Sequence, residues 1–327
     1  MKFIDMHCDT LLKLFFAAGK GANLYDFEPA SVDFRRMEAG GQLAQFFAVF
    51  LLPQEMLNME GVTAPPDMEY IETLRNLLLS NIERHTDIMA LAVSAEEILE
   101  NEKAGKISAV LSMEDSRAVD GKLDNVKLFY DMGFRAMSLT WNAPNCFGSP
   151  NSTDAKINMQ GLTAFGKTAV EYMQELGILV DVSHLSDGGF YDVAAICKKP
   201  FIATHSNARS LCPHQRNLTD DMIRVIGNAG GVTGLNFCPA FLNKNISCND
   251  STAALLAKHA RHIANVGGVS CVALGSDFDG FEGNLEIEDC AKLHLLEGAL
   301  REEGFAEAEI EQIFYKNVLR VMKDSIK

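Results

Sequence analysis

Eight short apolar runs recur along this chain, at residues 3–9, 43–51, 107–114, 136–141, 178–184, 201–205, 232–237 and 272–277. Longer amphipathic stretches separate them, among them 68–82, 162–176, 219–228 and 252–265. Ser94-Ala-Glu-Glu97 has the spacing of a capping box and opens a further helix. Short β-branched runs alternating with helical periodicity are the pattern of βα units. Eight such units predict a (β/α)8 TIM-type barrel of the α/β class, whose functional groups gather at the C-terminal mouth of the strands. A further run at 88–93 is surplus and reads as an edge strand outside the core. No linker, repeat or low-complexity tract divides the chain, so residues 1–327 read as a single domain, with helices from about 287 closing the outer ring.

Composition agrees with one large core. The chain has 327 residues, 47% of them hydrophobic, and a net charge of −15. That charge argues against a nucleic-acid partner. No basic segment followed by a long apolar stretch opens the sequence, and no window approaches the 18 or so apolar residues of a membrane span. The final residues, Val321-Met-Lys-Asp-Ser-Ile-Lys327, carry no hydrophobic tail. These features predict a cytoplasmic protein with no membrane partner. Cys8, Cys146, Cys197, Cys212, Cys238, Cys248, Cys271 and Cys290 form no CxxC pair and read as reduced, mostly buried thiols. In an extended segment Cys8 faces away from His7 and Asp9, which makes it a packing residue.

The polar residues fall at matching ends of the runs. His7 and Asp9 end the first, Glu114 the third, Trp141 the fourth, His184 the fifth, His205 the sixth and Asp277 the eighth. In a barrel these positions share one rim, and imidazole with carboxylate is the usual ligand chemistry of catalytic zinc. Strand phase favours Glu114 over the adjacent Asp115. Alternation gives Asp277 and Asp279 a common face, so phase alone leaves both open. Arg216 lies in the loop after the sixth run, before a helix capped by Thr219; it either overhangs the mouth, caps the helix or pairs with Asp220 or Asp221. His85, His214, His259, His262 and His294 read as loop or helix-surface residues, and the i, i+3 pair His259/His262 as structural. The loop 53–66, with Pro, Gly and several Met, is a candidate cover for the mouth or a subunit contact.

The segments Ile4-Asp-Met-His-Cys-Asp9, Met113-Glu114, Asp181-Val-Ser-His-Leu-Ser186, Thr204-His-Ser-Asn-Ala-Arg209, Arg216-Asn217 and Gly275-Ser-Asp-Phe-Asp-Gly280 resemble the zinc-dependent membrane (renal) dipeptidases and their bacterial relatives. They come in the family's order and span almost the whole chain. The resemblance implies two zinc ions that together hydrolyse dipeptides. His7 and Asp9 would bind one ion, His184 and His205 the other, and Glu114 would bridge both. Asp277 would be the acid/base residue and Arg216 the anchor of the substrate's carboxylate. The physical reasons are consistent with these roles. Two metals about 3.5–4 Å apart share a hydroxide and stabilise the oxyanion, a carboxylate relays the proton, and a guanidinium fork fits a carboxylate. Ligand type selects zinc, although Mn or Co suits the same donors.

The chain departs from the family at Trp141, where relatives carry His after Leu-Thr; at Cys8, where they have Asn; and at Cys238, where renal-type enzymes have Tyr. Trp141 offers an indole donor and an apolar face, and Asn142 is the candidate to supply the lost hydrogen bonding. The alternatives are another metal-dependent amide or lactone hydrolase on the same site, or a metal-retaining binding protein without turnover. Family habit suggests a homodimer.

Overall fold

The computed structural model describes residues 1–17, 23–63, 65–245 and 247–326. Its strands are β1 (Phe3–Cys8), β2 (Gln42–Phe50), β3 (Ile107–Glu114), β4 (Phe134–Ser138), β5 (Leu179–Asp181), β6 (Ile202–Ala203), β7 (Val232–Leu235) and β8 (Val272–Leu274). Each runs parallel to the next, and β8 returns to β1, so the sheet closes as a (β/α)8 barrel. The surplus run contributes a short strand, Met89–Leu91, which pairs with residues 107–109 at the foot of β3 before β4 joins at Leu111.

The outer layer includes α1 (Thr10–Ala17), α2 (Phe34–Gly40), α3 (Asp67–Arg84), α4 (Ala95–Lys103), α5 (Leu123–Asp131), α6 (Ala164–Leu176), α7 (Asp187–Ile196), α8 (Asp220–Asn228), α9 (Ala253–Gly267), α10 (His294–Glu302) and α11 (Asn317–Ser325). Hydroxyl caps start several of them: Ser94, Thr163, Ser186, Thr219 and Thr252 each accept a backbone N–H of the first turn. As Ser94-Ala-Glu-Glu97 foretells, the Glu97 side chain also reaches back, to the Val93 amide. Strand alternation sorts the core into two layers. Phe47, Leu111, Val180 and Leu274 belong with the helices outside, whereas Phe46, Val110, Leu179 and Ala273 fill the barrel. Val318, Val321, Met322 and Ile326, from α11 and just beyond it, join that inner layer.

The strands are shorter than the apolar runs, and this shortening shapes the mouth. The Asp181 carboxylate takes the Ser183 and Thr204 amides, each at 2.9 Å, and Asp5 takes the Ser276 amide at 2.8 Å. These bonds replace ladder bonds, so β5, β6 and β8 stop early. His184 (φ 69°) and Asp277 (φ 63°) then adopt left-handed backbone that no strand accommodates. Trp141 likewise follows β4 instead of ending it. Glycine is required at the tops of β7 and β8, where a Cβ on Gly234 or Gly275 would lie 2.0 Å or 1.7 Å from the Thr204 carbonyl oxygen.

Two smaller expectations need adjusting. His259 is not on a helix surface: it is buried, accepting the Ala208 amide at Nδ1 while Nε2 meets the Leu242 carbonyl. It is structural, as expected, but it lies on the inner side of α9. Part of the loop 53–66 is the helix Gln54–Met59, while Ala64, like Lys327, lies outside the described residues. All eight cysteines are free and none is exposed. Among the described residues no helix is long and apolar enough to cross a membrane.

Candidate metal centre

The rim of the barrel draws together His7 from β1 and Asp9 just beyond it, Glu114 at the tip of β3, and His184, His205 and Asp277 from the loops after β5, β6 and β8. The first five are buried, and the Asp277 side chain is 14% exposed. Glu114 is the hub. Its Oε1 is 2.8 Å from His184 Nε2 and 3.8 Å from His205 Nε2, and its Oε2 is 3.4 Å from His7 Nε2. His7 Nε2 is also 3.6 Å from Asp9 Oδ2 and 3.7 Å from Asp277 Oδ1. Two overlapping donor groups result, His7–Glu114–His205 and His7–Asp9–Asp277, with the donor atoms of each within 4.8 Å of one another.

A hydrogen-bond chain fixes the form of His205. Thr204 Oγ1 donates to Asp181 Oδ2 at 2.5 Å, so its one proton is committed. His205 Nδ1, 2.7 Å away, must therefore donate to Thr204, which leaves a lone pair on Nε2 facing Glu114 and His184. The two facing Nε2 atoms of His184 and His205 are 3.0 Å apart; with the His205 lone pair there, His184 either donates an Nε2 proton to it or both nitrogens turn to a shared cation. Behind Asp277, the Asn236 amide donates to Oδ2 at 2.9 Å and leaves Oδ1 free toward His7.

The electrostatics follow from burial. Burial pushes the Glu114 carboxyl up to about 7, against the pull of His7. Burial likewise raises Asp277 to about 6, His7 again opposing and the charge on Asp9 adding. Burial alone would lower His7, but Glu114 and Asp9 outweigh it and hold the imidazole well above its ordinary value. Burial, with the positive charge of Arg216 and His7, keeps His184 and His205 well below theirs. His7 Nε2, Asp9 Oδ1 and His184 Nδ1 are buried without a hydrogen-bond partner. Each such atom costs about 1–3 kcal/mol if left unsatisfied. The donor set is nitrogen and oxygen only, clustered and largely buried, and it fits divalent cations of the zinc type.

Arg216 enters this centre from the loop before α8. It is buried, with Nη1 3.3 Å from Ser206 Oγ and Nη2 3.4 Å from the His205 carbonyl. Its Nε has no partner, and its guanidinium lies 5.3 Å from the Phe241 ring. It pairs with neither Asp220, which holds His262, nor Asp221, which holds Arg224 and Tyr191. Among the described residues its positive charge has no carboxylate in salt-bridge range. His214 accepts the Arg216 amide at 3.1 Å and so fixes the loop.

Of the adjacent acids, Glu114 faces the cluster while Asp115 turns to Arg117 and Asn145, each at 2.9 Å. Asp277 faces the cluster while Asp279 holds Thr10 Oγ1, the Ser31 amide and Lys13. Positive φ at both (63° and 73°) breaks the alternation that would have aligned them. The Trp141 ring lies 4.9 Å from that of Phe50 and 6.3 Å from that of His184. Asn142 is exposed, and the carboxamide turned toward the barrel is that of Asn145, bonded to Asp115 and to the Leu139 carbonyl. Sequence reasoning did not find Asp181, Thr204 or Asn236. The available signal was a polar residue inside an otherwise apolar run.

Comparison with known proteins gives the chain its family and its fold relatives. Residues 1–326 match the family model described as membrane dipeptidase, peptidase family M19. An uncharacterized Klebsiella pneumoniae protein from the pqqA 5′ region is 35% identical over 72% of this chain and 89% of its own length. An uncharacterized dipeptidase of Schizosaccharomyces pombe is 30% identical over 98% of this chain and 80% of its own. Among solved structures, a metallo peptidase from Rhodobacter sphaeroides, liganded with a phosphinate mimic of the dipeptide L-Ala-D-Ala, superposes with a TM-score of 0.91 at 27% identity. That match covers 99% of both chains.

Proposed function

The chain belongs to the membrane dipeptidase family, peptidase family M19, and from that premise we propose that this metal-dependent dipeptidase works with two zinc ions at the mouth of its barrel. His7 and Asp9 would hold one ion, His184 and His205 the other, and Glu114, with Oε1 toward His184 and Oε2 toward His7, would serve both. Bound there, the cations supply Lewis acidity to the scissile carbonyl and a water of lowered pKa. The chain's own groups do the rest. Arg216 receives the substrate's terminal carboxylate at its free Nε and at a guanidinium otherwise held only by weak bonds to Ser206 and His205. Asp277, its Oδ2 pinned by Asn236, takes the attacking water's proton on Oδ1 and returns it to the leaving amine. A carboxylate so placed can both take and return a proton. Trp141 walls the site with an apolar face where relatives offer an imidazole. A dipeptide enters as a zwitterion and leaves as two amino acids.

The observation that carries this reading is the conjunction of a buried cluster of ligand-type donors with a buried arginine that, among the described residues, has no carboxylate within salt-bridge range. The test compares a dipeptide with its C-terminal amide. Arg216→Met removes charge-assisted bonds and lowers kcat/KM for the free dipeptide by roughly 10- to 100-fold while sparing the amide. A chelator abolishes cleavage of both, and re-addition of zinc restores it at two ions per chain. Equal losses on both substrates would remove Arg216 from its role, and activity that survives chelation would remove the metals.

A further inference from the structure

Resting on the dipeptidase reading, the layout of the mouth also indicates where the substrate's first residue goes. In a ring of eight strands, β6 and β2 stand opposite one another. Arg216 follows β6, so a dipeptide anchored there and spanning the cluster directs its amino-terminal residue toward the loop after β2. A cleft of about 590 Å³ lies on that side, walled by Leu12 and Phe16 of α1, by Leu52, Met56 and Met59 after β2, and by Phe281. Its size falls within the roughly 300–1,000 Å³ of small-ligand cavities. It comes nearest the cluster at one backbone position. Gly280 lines it there, and a Cβ on that glycine would stand 2.2 Å from Asp9 Oδ2 and 3.0 Å from Asp277 Oδ1.

We propose that this cleft receives the side chain of the dipeptide's amino-terminal residue and selects large apolar ones. Met59 is 85% exposed and Met56 42%, a concentration of apolar surface that a substrate side chain would cover. Methionines suit such a wall because they repack around different shapes. Four charged residues share the lining: Lys13 and Asp279 pair at 3.0 Å, and Glu60 and Glu282 are solvent-exposed, which leaves the apolar side chains as the surface a substrate can bury. A second cavity, of about 430 Å³, lies on the far side of the same loop, by Trp141. Its central charges are paired with one another, since Arg117 bonds both Asp67 and Asp115, so they offer an incoming side chain no unmet partner.

The test uses phosphinate mimics of X-Ala, with X as Gly, Leu, Phe or Lys, bound to the zinc-loaded enzyme and measured by calorimetry. Burial of the side chain makes the Leu and Phe mimics bind roughly 10- to 100-fold tighter than the Gly mimic. Met56→Trp fills the cleft and lowers the Phe/Gly ratio by at least about fivefold. Met59→Ser, at a position too exposed to threaten the fold, lowers it roughly two- to fivefold. A flat series, a preference for Lys, failure of every mimic to bind, or ratios unmoved by both substitutions each overturn the assignment. Apolar preference without turnover of any dipeptide supports the cleft and removes the catalytic reading. Turnover with a flat series does the reverse.

Discussion

At His205 the ligand depends on the atoms behind it. Thr204 and Asp181 set its tautomer, and Asp181 also holds the Ser183 and Thr204 amides that turn both histidine loops. Asp181→Asn should therefore lower zinc affinity and kcat/KM by roughly 10- to 100-fold with the fold intact, as read by metal titration beside circular dichroism. Proton competition gives a second expectation. Glu114 and Asp277 are raised by burial to about 7 and 6, so the metal-free fold favours their protonated forms. That stabilisation is complete below their ordinary values and is lost as pH climbs through 6 to 7. His184 and His205 are depressed and act oppositely, destabilising the fold as pH falls below their ordinary value. Cations require the deprotonated carboxylates and the neutral imidazoles, so metal binding strengthens from pH 6 to pH 8. The Tm gap between loaded and metal-free protein should widen over that range; a gap that narrows would count against these residues as the ligands. The residues that cluster at the mouth were legible because a parallel barrel delivers each strand's end to one rim. Asp181, Thr204 and Asn236 were not, since a polar residue within an apolar run carries no periodic signal of what it will bond.

Whole segments were read well in kind and less well in extent. The eight runs became eight strands, yet β5, β6 and β8 stop well short of the runs that announced them. Side-chain capture of backbone amides by Asp5 and Asp181 ended the ladders, and that depends on contacts between distant segments. The loop after β2 is held the same way. Arg117 reaches the Leu51 and Leu52 carbonyls together with Asp67 and Asp115, and so ties the start of α3 to the turn beyond Glu114. The turn after β8 is fixed by lack of space. Gly280→Ala would push a methyl against Asp9, and the expected outcome is loss of about one metal per chain with little change in helical signal. Retention of full metal content would show that Asp9 can yield.

For the molecule as a whole, the barrel floor matters as much as the rim. Val318, Val321, Met322 and Ile326 fill it from below and are buried with Ile4, Phe46 and Val110. Removing residues 317–327 exposes that interior at a cost of roughly 6–12 kcal/mol, comparable to the entire stability of a domain. The truncated chain should lose its cooperative unfolding transition in calorimetry and bind a hydrophobic dye; a sharp transition near the original temperature would contradict the account. A second consequence lies where the ring joins itself. β1 and β8 share one registered pair, Asp5 with Leu274, and the Cys8–Phe278 bridge above it. Asp9 stands on one side of that join and Asp277 on the other, with His7 between them. An ion held at His7 and Asp9 would sit beside that seam and attract the Asp277 carboxylate across it, so loading and resistance to unzipping rise together. Starved of metal, such a protein would part first along this line, and proteases would remove the idle copies before the working ones.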